Sequence, residues 1–353
     1  MYVNIFVVES PLQLLSAIEA TNTFQERENK RTKNVLVIRF GEPSRTQNNE
    51  QMLSLKRLFE WDEVIDFSDP DTFSLLIHLW RRYKMKHINH KYRGHRIKFF
   101  MGEFRSEWMH YLRHYLKPDS TFLLDDGAIT IQVQKEYIAK GYFFPNSPYQ
   151  TKLKKILKKI IYARILNPRI LIRPLNLFTV FTLKPIGRQK VITHKYNFVS
   201  TLVNTEEISI LDEVWFFGSK YSEAKILTEE TELKFLKHVQ SHFLSTNSNY
   251  KFKYIPHRDE SCEKLRKIQT DLGISVFPLA MPAELYILNN NVRPSICAGY
   301  YTTVLLNMKV LQPTLSVVSF RLPAKDINVK FENPISNVYE FIGESGISIT
   351  DLE

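Results

Sequence analysis

The 353-residue sequence predicts an α/β fold of two doubly wound, Rossmann-type domains facing each other across a cleft. Short apolar runs alternate with helical patterns over residues 2–124, and the same rhythm resumes after residue 209. The chain is also long for one hydrophobic core and comfortable for two.

In the first half, residues 2–8 (Tyr-Val-Asn-Ile-Phe-Val-Val) form a buried strand. A helix then opens with Ser10 as N-cap and Pro11 at its first position, with Leu14, Leu15 and Ile18 as its apolar face. Residues 34–40 are a second strand and 48–61 a helix. Strands at 63–67 and 97–100 flank a helix over 73–83, and the apolar run 121–124 is the next strand. In the second half, strands are expected at 213–217, 251–255, 274–277, 295–298 and 315–320. Helices are expected from about 220 to 242, over 262–269, from Pro282, from Thr302 to Met308, and over 337–343. The implied division is a domain over 1–150, a basic linking interval over 151–208, and a second domain over 209–353.

Charge is distributed unevenly. From residue 137 to 205 there is no acidic residue, although the whole chain carries 37 Asp and Glu against 48 Lys and Arg. Within that interval Lys152, Lys154, Lys155, Lys158 and Lys159 interleave with Leu153, Ile156, Leu157, Ile160 and Ile161, the spacing of a basic amphipathic helix. Such a helix lies on an anionic membrane, packs on a core with a solvated lysine face, or tracks nucleic-acid phosphates. No helix-turn-helix, RNA-recognition or zinc-finger pattern accompanies the charge, so nucleic acid is not expected as a partner. Cys262 and Cys297 lack CxxC spacing, which argues against a disulfide framework or zinc site and fits a reducing compartment. With no signal-peptide pattern and no run of about 18 apolar residues, the expected location is cytoplasmic, or peripheral to a membrane from that side.

Candidate chemistry falls at strand ends, where open α/β sheets bind ligands. Asp125-Asp126-Gly127 follows the 121–124 run, and crowded carboxylates raise each other's pKa toward the range of a general base. The same residues also serve an Asp-capped turn. Gly218-Ser219-Lys220 is a strand-to-helix turn with room for close backbone approach and a positive charge, but without P-loop spacing. His257 follows a strand and could serve a leaving phosphate or simply the structure. Glu284 near a helix start suits ribose hydroxyls, or the helix dipole. Thr302 and Thr303 at a helix N-terminus suit an anion, or plain capping. The one Asp-x-Asp, Asp69-Pro70-Asp71, sits in a turn-like stretch without a supporting pattern, so a metal is not expected.

In order, strand–Asp-Asp-Gly, strand–Gly-Ser, strand–Pro-His, Pro-x-Glu helix and Gly-Tyr-Tyr-Thr-Thr helix resemble the bacterial sialyltransferases of glycosyltransferase family 52 and the related polysialyltransferases. The opening Glu9-Ser10-Pro11-Leu12-Gln13 is similar to their first strand-to-helix junction, which places Ser10 and Gln13 on the acceptor side. The resemblance implies a GT-B fold, a CMP-sialic acid donor, no metal and no cofactor. It implies an inverting transfer to a hydroxyl of a surface glycan, lipooligosaccharide or capsule. Asp125 would be the general base with Asp126 beside it, and His257 would serve the leaving CMP. Gly218, Ser219, Lys220, Glu284, Thr302 and Thr303 would hold the donor. Two positions depart from the family pattern: His257 is followed by Arg258 instead of proline, and the hydroxyl pair is Thr-Thr where serines are commoner. The basic interval would dock the enzyme at the inner membrane, and a homodimer is compatible with the pattern. Another nucleotide sugar, such as UDP-glucose or UDP-galactose, is the near alternative. A non-enzymatic binding protein is the distant one.

Overall fold

Every strand pairing is parallel in the computed structural model of the chain, which describes residues 2–28, 32–42, 46–70, 74–127, 129–142, 174–202 and 208–352. The chain divides into two units, Met1–Val199 and Ser200–Glu353, each built on one sheet.

The first unit runs β1 (Tyr2–Val8), α1 (Pro11–Glu28), β2 (Thr32–Ile38), α2 (Thr46–Lys56), β3 (Glu63–Asp66), α3 (Ser74–Tyr92), β4 (Arg96–Met101), α4 (Glu107–Leu116) and β5 (Ser120–Leu123). A short α5 (Ile129–Gln132) continues into a π-helical turn, Val133–Ile138. β6 (Leu175–Thr179) and β7 (Val191–Thr193) complete the sheet, and α6 (Asn197–Leu202) follows. Val3, Ile5, Phe6, Val7 and Val8 are fully buried, the near-continuous apolar run of a parallel strand covered by helices on both faces. The strand order is β3-β2-β1-β4-β5-β6-β7, so the winding direction reverses between β1 and β4. Carboxyl ends at such a switch point leave a crevice in which doubly wound folds bind ligands.

The second unit runs β8 (Ser209–Phe217), α7 (Glu229–Thr246), β9 (Lys251–Ile255), α8 (Cys262–Thr270), β10 (Ser275–Val276), α9 (Ala283–Asn290), β11 (Val292–Gly299), α10 (Thr303–Leu311), β12 (Ser316–Arg321), α11 (Val329–Glu344) and β13 (Ser348–Asp351). The sheet order, β10-β9-β8-β11-β12-β13, puts this unit's switch point between β8 and β11.

The domain boundaries read from the sequence need one correction. The described part of the expected 151–208 linker is no linker: Leu177 of β6 sits beside Leu123 of β5, and β7 extends the sheet one strand further. Leu175, Leu177 and Phe178 are buried core residues. A reading based on charge passes over these strands because both lie inside the interval without acidic residues, which reads as one basic linker. The basic run Lys152, Lys154, Lys155, Lys158 and Lys159 lies outside the described residues. No helix among the described residues is long and apolar enough to cross a membrane.

Candidate active site

The Asp125-Asp126-Gly127 turn leaves β5 beside the switch point, and the structure gives its two carboxylates opposite environments. Asp125 is 1% exposed. Its Oδ2 accepts a hydrogen bond from the Val180 backbone N–H at 2.7 Å, tying the turn to the end of β6. His194 lies behind it, with Nε2 3.6 Å from the same oxygen, and its ring is stacked on Phe178. Asp126 points the other way, and 19% of its side chain stays accessible. Gly127 permits this divergence, since its φ of +75° belongs to the left-handed region that glycine tolerates best.

Asp126 is bound from the β1–α1 junction. Gln13 Nε2 donates to Asp126 Oδ1 at 2.8 Å, and the Ser10 hydroxyl reaches the same oxygen at 3.4 Å. Gln13 is fixed at its other end, because its Oε1 accepts from the Glu9 backbone N–H at 2.8 Å. The chain after β4 presses on the same amide: a Cβ on Gly102 would stand 2.3 Å from Gln13 Oε1, so only glycine fits there. The next residue, Glu103, is the second carboxylate of the site. Burial, a hydrogen bond that the protonated Asp126 donates to Glu103, and the Glu103 charge push the Asp126 carboxyl up to about 8, against the pull of Gln13 and Arg105. Glu103 moves the other way, because Arg105 and Asp126 stabilise its ionised form against burial. Arg105 holds Glu103 through Nε at 3.0 Å and Nη2 at 2.8 Å, and stands 3.9 Å from Asp126. The pair therefore shares one proton near neutrality, carried by Asp126.

Of the residues singled out in the sequence, Ser10 and Gln13 contact Asp126 in the structure. The geometry favours Asp126 over Asp125 as the reactive carboxylate: the first is buried with Oδ2 bonded to a backbone amide, and the second keeps part of its side chain accessible. Glu103, Arg105 and His194 escape the sequence reading. Gly102 directly before an acidic residue at a strand end was the available signal for Glu103.

In the second unit three candidate loops leave adjacent strands. Phe217 of β8 is level with Ile255 of β9 on one side and Gly299 of β11 on the other. Ser219, His257 and Thr302 thus follow neighbouring strand ends. The Asp259 backbone N–H donates to His257 Nδ1 at 3.2 Å, which leaves the ring proton on Nε2. Burial, reinforced by Arg258, pushes the imidazole down to about 4, so at neutral pH His257 is an uncharged donor. Thr302 is the N-cap of α10, and its side chain makes no capping bond. Thr302 and Thr303 are half-buried at that helix start.

Three expectations change here. The Lys220 ammonium is paired with Asp259 at 2.9 Å, so its charge is already balanced. Gly218 is close-packed against protein: a Cβ there would meet Tyr254 Oη at 2.1 Å and Glu260 Oε1 at 2.7 Å. Glu284 is 4% exposed and accepts from Asn307 Nδ2 of α10 at 2.7 Å. In the first unit, Asp69 of the Asp-x-Asp stretch is engaged by Arg39 and Arg81, each at 2.7 Å, while Asp71 lies outside the described residues.

No protein-family model matches the chain, and no curated relative does. Solved structures do. UDP-GlcNAc 2-epimerase from Neisseria meningitidis, bound to UDP-GlcNAc, superposes with a TM-score of 0.51 at 11% identity, covering 99% of this chain and 95% of that one. S. aureus MnaA with UDP gives 0.52 at 8% identity, covering 98% and 88%. The fold is GT-B-like. The GT-B domain of a Photobacterium damselae sialyltransferase also aligns, at 9% identity over all of both chains, but its TM-score of 0.47 is too slight to argue from. These identities establish the architecture, two Rossmann-type α/β units, and leave the chemistry to the residues.

Proposed function

We propose that the chain is an inverting, metal-independent sialyltransferase that moves sialic acid from CMP-sialic acid to a hydroxyl of a surface glycan, with Asp126 as its general base. The observation that carries this reading is the Asp126–Glu103 pair at the first switch point, which poises an accessible carboxylate near neutral pH. The order of motifs in the sequence supplies the donor.

The chemistry follows from the positions of charge. The bond between the anomeric carbon and the phosphate oxygen breaks, and CMP leaves with the electron pair. The acceptor oxygen bonds to that carbon from the opposite face, and its proton passes to Asp126. Ser10 and Gln13 hold the carboxylate that receives it. His257, through Nε2–H, and the start of α10 donate hydrogen bonds to charge growing on the phosphate. An uncharged His257 makes this donation independent of pH over the neutral range.

The test is transfer from CMP-sialic acid by Asp126→Asn. Loss of turnover by about a thousandfold or more, with the fold retained, is expected of a missing base. Asp125→Asn is expected to lower thermal stability first, because it disturbs the buried acceptor of Val180 N–H. Near-normal turnover by Asp126→Asn would refute the assignment. A second donor class, UDP-sugars, is favoured by the nucleotides in the two neighbours of like fold, and UDP is therefore the comparator in any binding assay.

A further inference from the structure

Beneath the second switch point lies a buried charge cluster that the proposed reaction does not use directly. Lys264, on α8, is 0% exposed at its side chain and stands 2.8 to 3.0 Å from the carboxylates of Glu223, Glu232 and Glu260. Burial pushes the Glu260 carboxyl up to about 7 and raises that of Glu232, against the pull of the Lys264 ammonium. Apolar residues of similar volume would commonly stabilise a fold as well as such a cluster does, so its retention asks for another explanation.

The explanation is in what else each group touches. The Lys264 ammonium donates to the Ser219 carbonyl at 3.2 Å. Glu232 accepts from Ser222 N–H at 3.0 Å. Glu260 accepts from His257 N–H at 2.5 Å, and Glu223 from Ser261 N–H at 2.9 Å. Each of the four charged groups thus holds one backbone group of the loop after β8 or the loop after β9. Tyr254 Oη adds a bond to Glu260 at 2.6 Å, and Gly218 leaves the space in which Tyr254 and Glu260 approach the first loop.

We propose that Lys264 and Glu260 are positioning residues that fasten the β8 and β9 loops to each other, holding Ser219 and His257 in register for the anionic group of a nucleotide. This rests on reading the second unit as the nucleotide-binding one. Two loops fixed to a common ammonium lose less freedom when a ligand arrives, and preorganisation of that kind raises affinity.

Amide hydrogen exchange on the full chain, with and without CMP or UDP, tests it. Glu260→Ala is expected to speed exchange by about tenfold at both 257–261 and 219–222, although Glu260 bonds only the former, while β12 keeps its protection. Glu260→Gln, which keeps an acceptor for His257 N–H, should restore most of it. Lys264→Met should loosen the same two segments. If it fails to fold, the Glu260 pair still decides the matter. In the variants with loosened loops, nucleotide affinity should fall about tenfold, the scale of one lost hydrogen bond. Exchange that rises in one loop while the other stays as in the unsubstituted chain would overturn the fastening. Coupled loops in a protein that neither CMP nor UDP protects would instead sink the nucleotide reading and leave the fastening standing.

Discussion

At the scale of single residues, Asp126 and Glu103 govern how the protein responds to pH. If Asp126 is the base, kcat/KM should rise with pH through a midpoint near 8, where its carboxyl ionises, and level off above it. Glu103→Gln removes the neighbouring charge that opposes this ionisation, so the midpoint should move to lower pH; a midpoint that stays put would count against the pair. The same groups contribute to stability in separate windows. Asp126 is raised above the unfolded value of about 3.9, so its contribution is full below that pH and is lost as pH climbs toward 8. Glu103 is depressed, so its contribution is present above the unfolded value of about 4.3 and is lost as pH falls further. Chemical denaturation of Asp126→Asn from pH 5 to 8 should therefore show a flatter profile than the unsubstituted chain. The aspartate pair itself was legible in the sequence as two carboxylates at a strand end. Which of them stays accessible was not, because the answer depends on Val180 N–H at the end of β6, 55 residues away.

Among elements, the β-α alternation was readable wherever strands were apolar and helices periodic, and β1 and β9 match their expected bounds. Three short strands were not. β6, β7 and β13 span three to five residues, and β13 is half exposed at the sheet edge, leaving little apolar pattern to read. α11 begins well before its expected start because Pro334 lies inside it, where a proline normally argues against helix. Gly218 shows how an element's role can invert. The sequence suggests a glycine that admits a ligand, whereas the structure shows one that admits Tyr254. Gly218→Ala should destabilise by about 1–3 kcal/mol through overpacking, measured by urea titration. Tyr254→Leu removes both clashing atoms, the hydroxyl oxygen and the ring Cζ 2.3 Å from that Cβ, so the double variant should lose less than the sum of the two single ones. Strict additivity would show that the clash is relieved elsewhere.

For the whole molecule, the two doubly wound units were legible because the same rhythm occurs twice, and their switch points collect most of the residues singled out from the sequence. The buried fastening under the β8 and β9 loops was not legible, since Glu223, Glu232, Glu260 and Lys264 read in sequence as ordinary surface charges. We propose that the basic run over residues 152–159 contacts anionic lipid, at roughly 1 kcal/mol per basic residue near the headgroups. Replacing Lys154, Lys155, Lys158 and Lys159 with glutamine should then abolish sedimentation with phosphatidylglycerol vesicles at low salt, and unchanged sedimentation would remove the run from that role. The central claim, a fold that binds a cytidine nucleotide to transfer a sugar, is tested most directly by thermal melting of the full chain against CMP and UDP. CMP at about a hundred times its dissociation constant should stabilise by about 2.7 kcal/mol, with UDP far weaker. Equal or greater stabilisation by UDP would contradict the sialyltransferase reading, and no shift with either nucleotide would contradict the whole account.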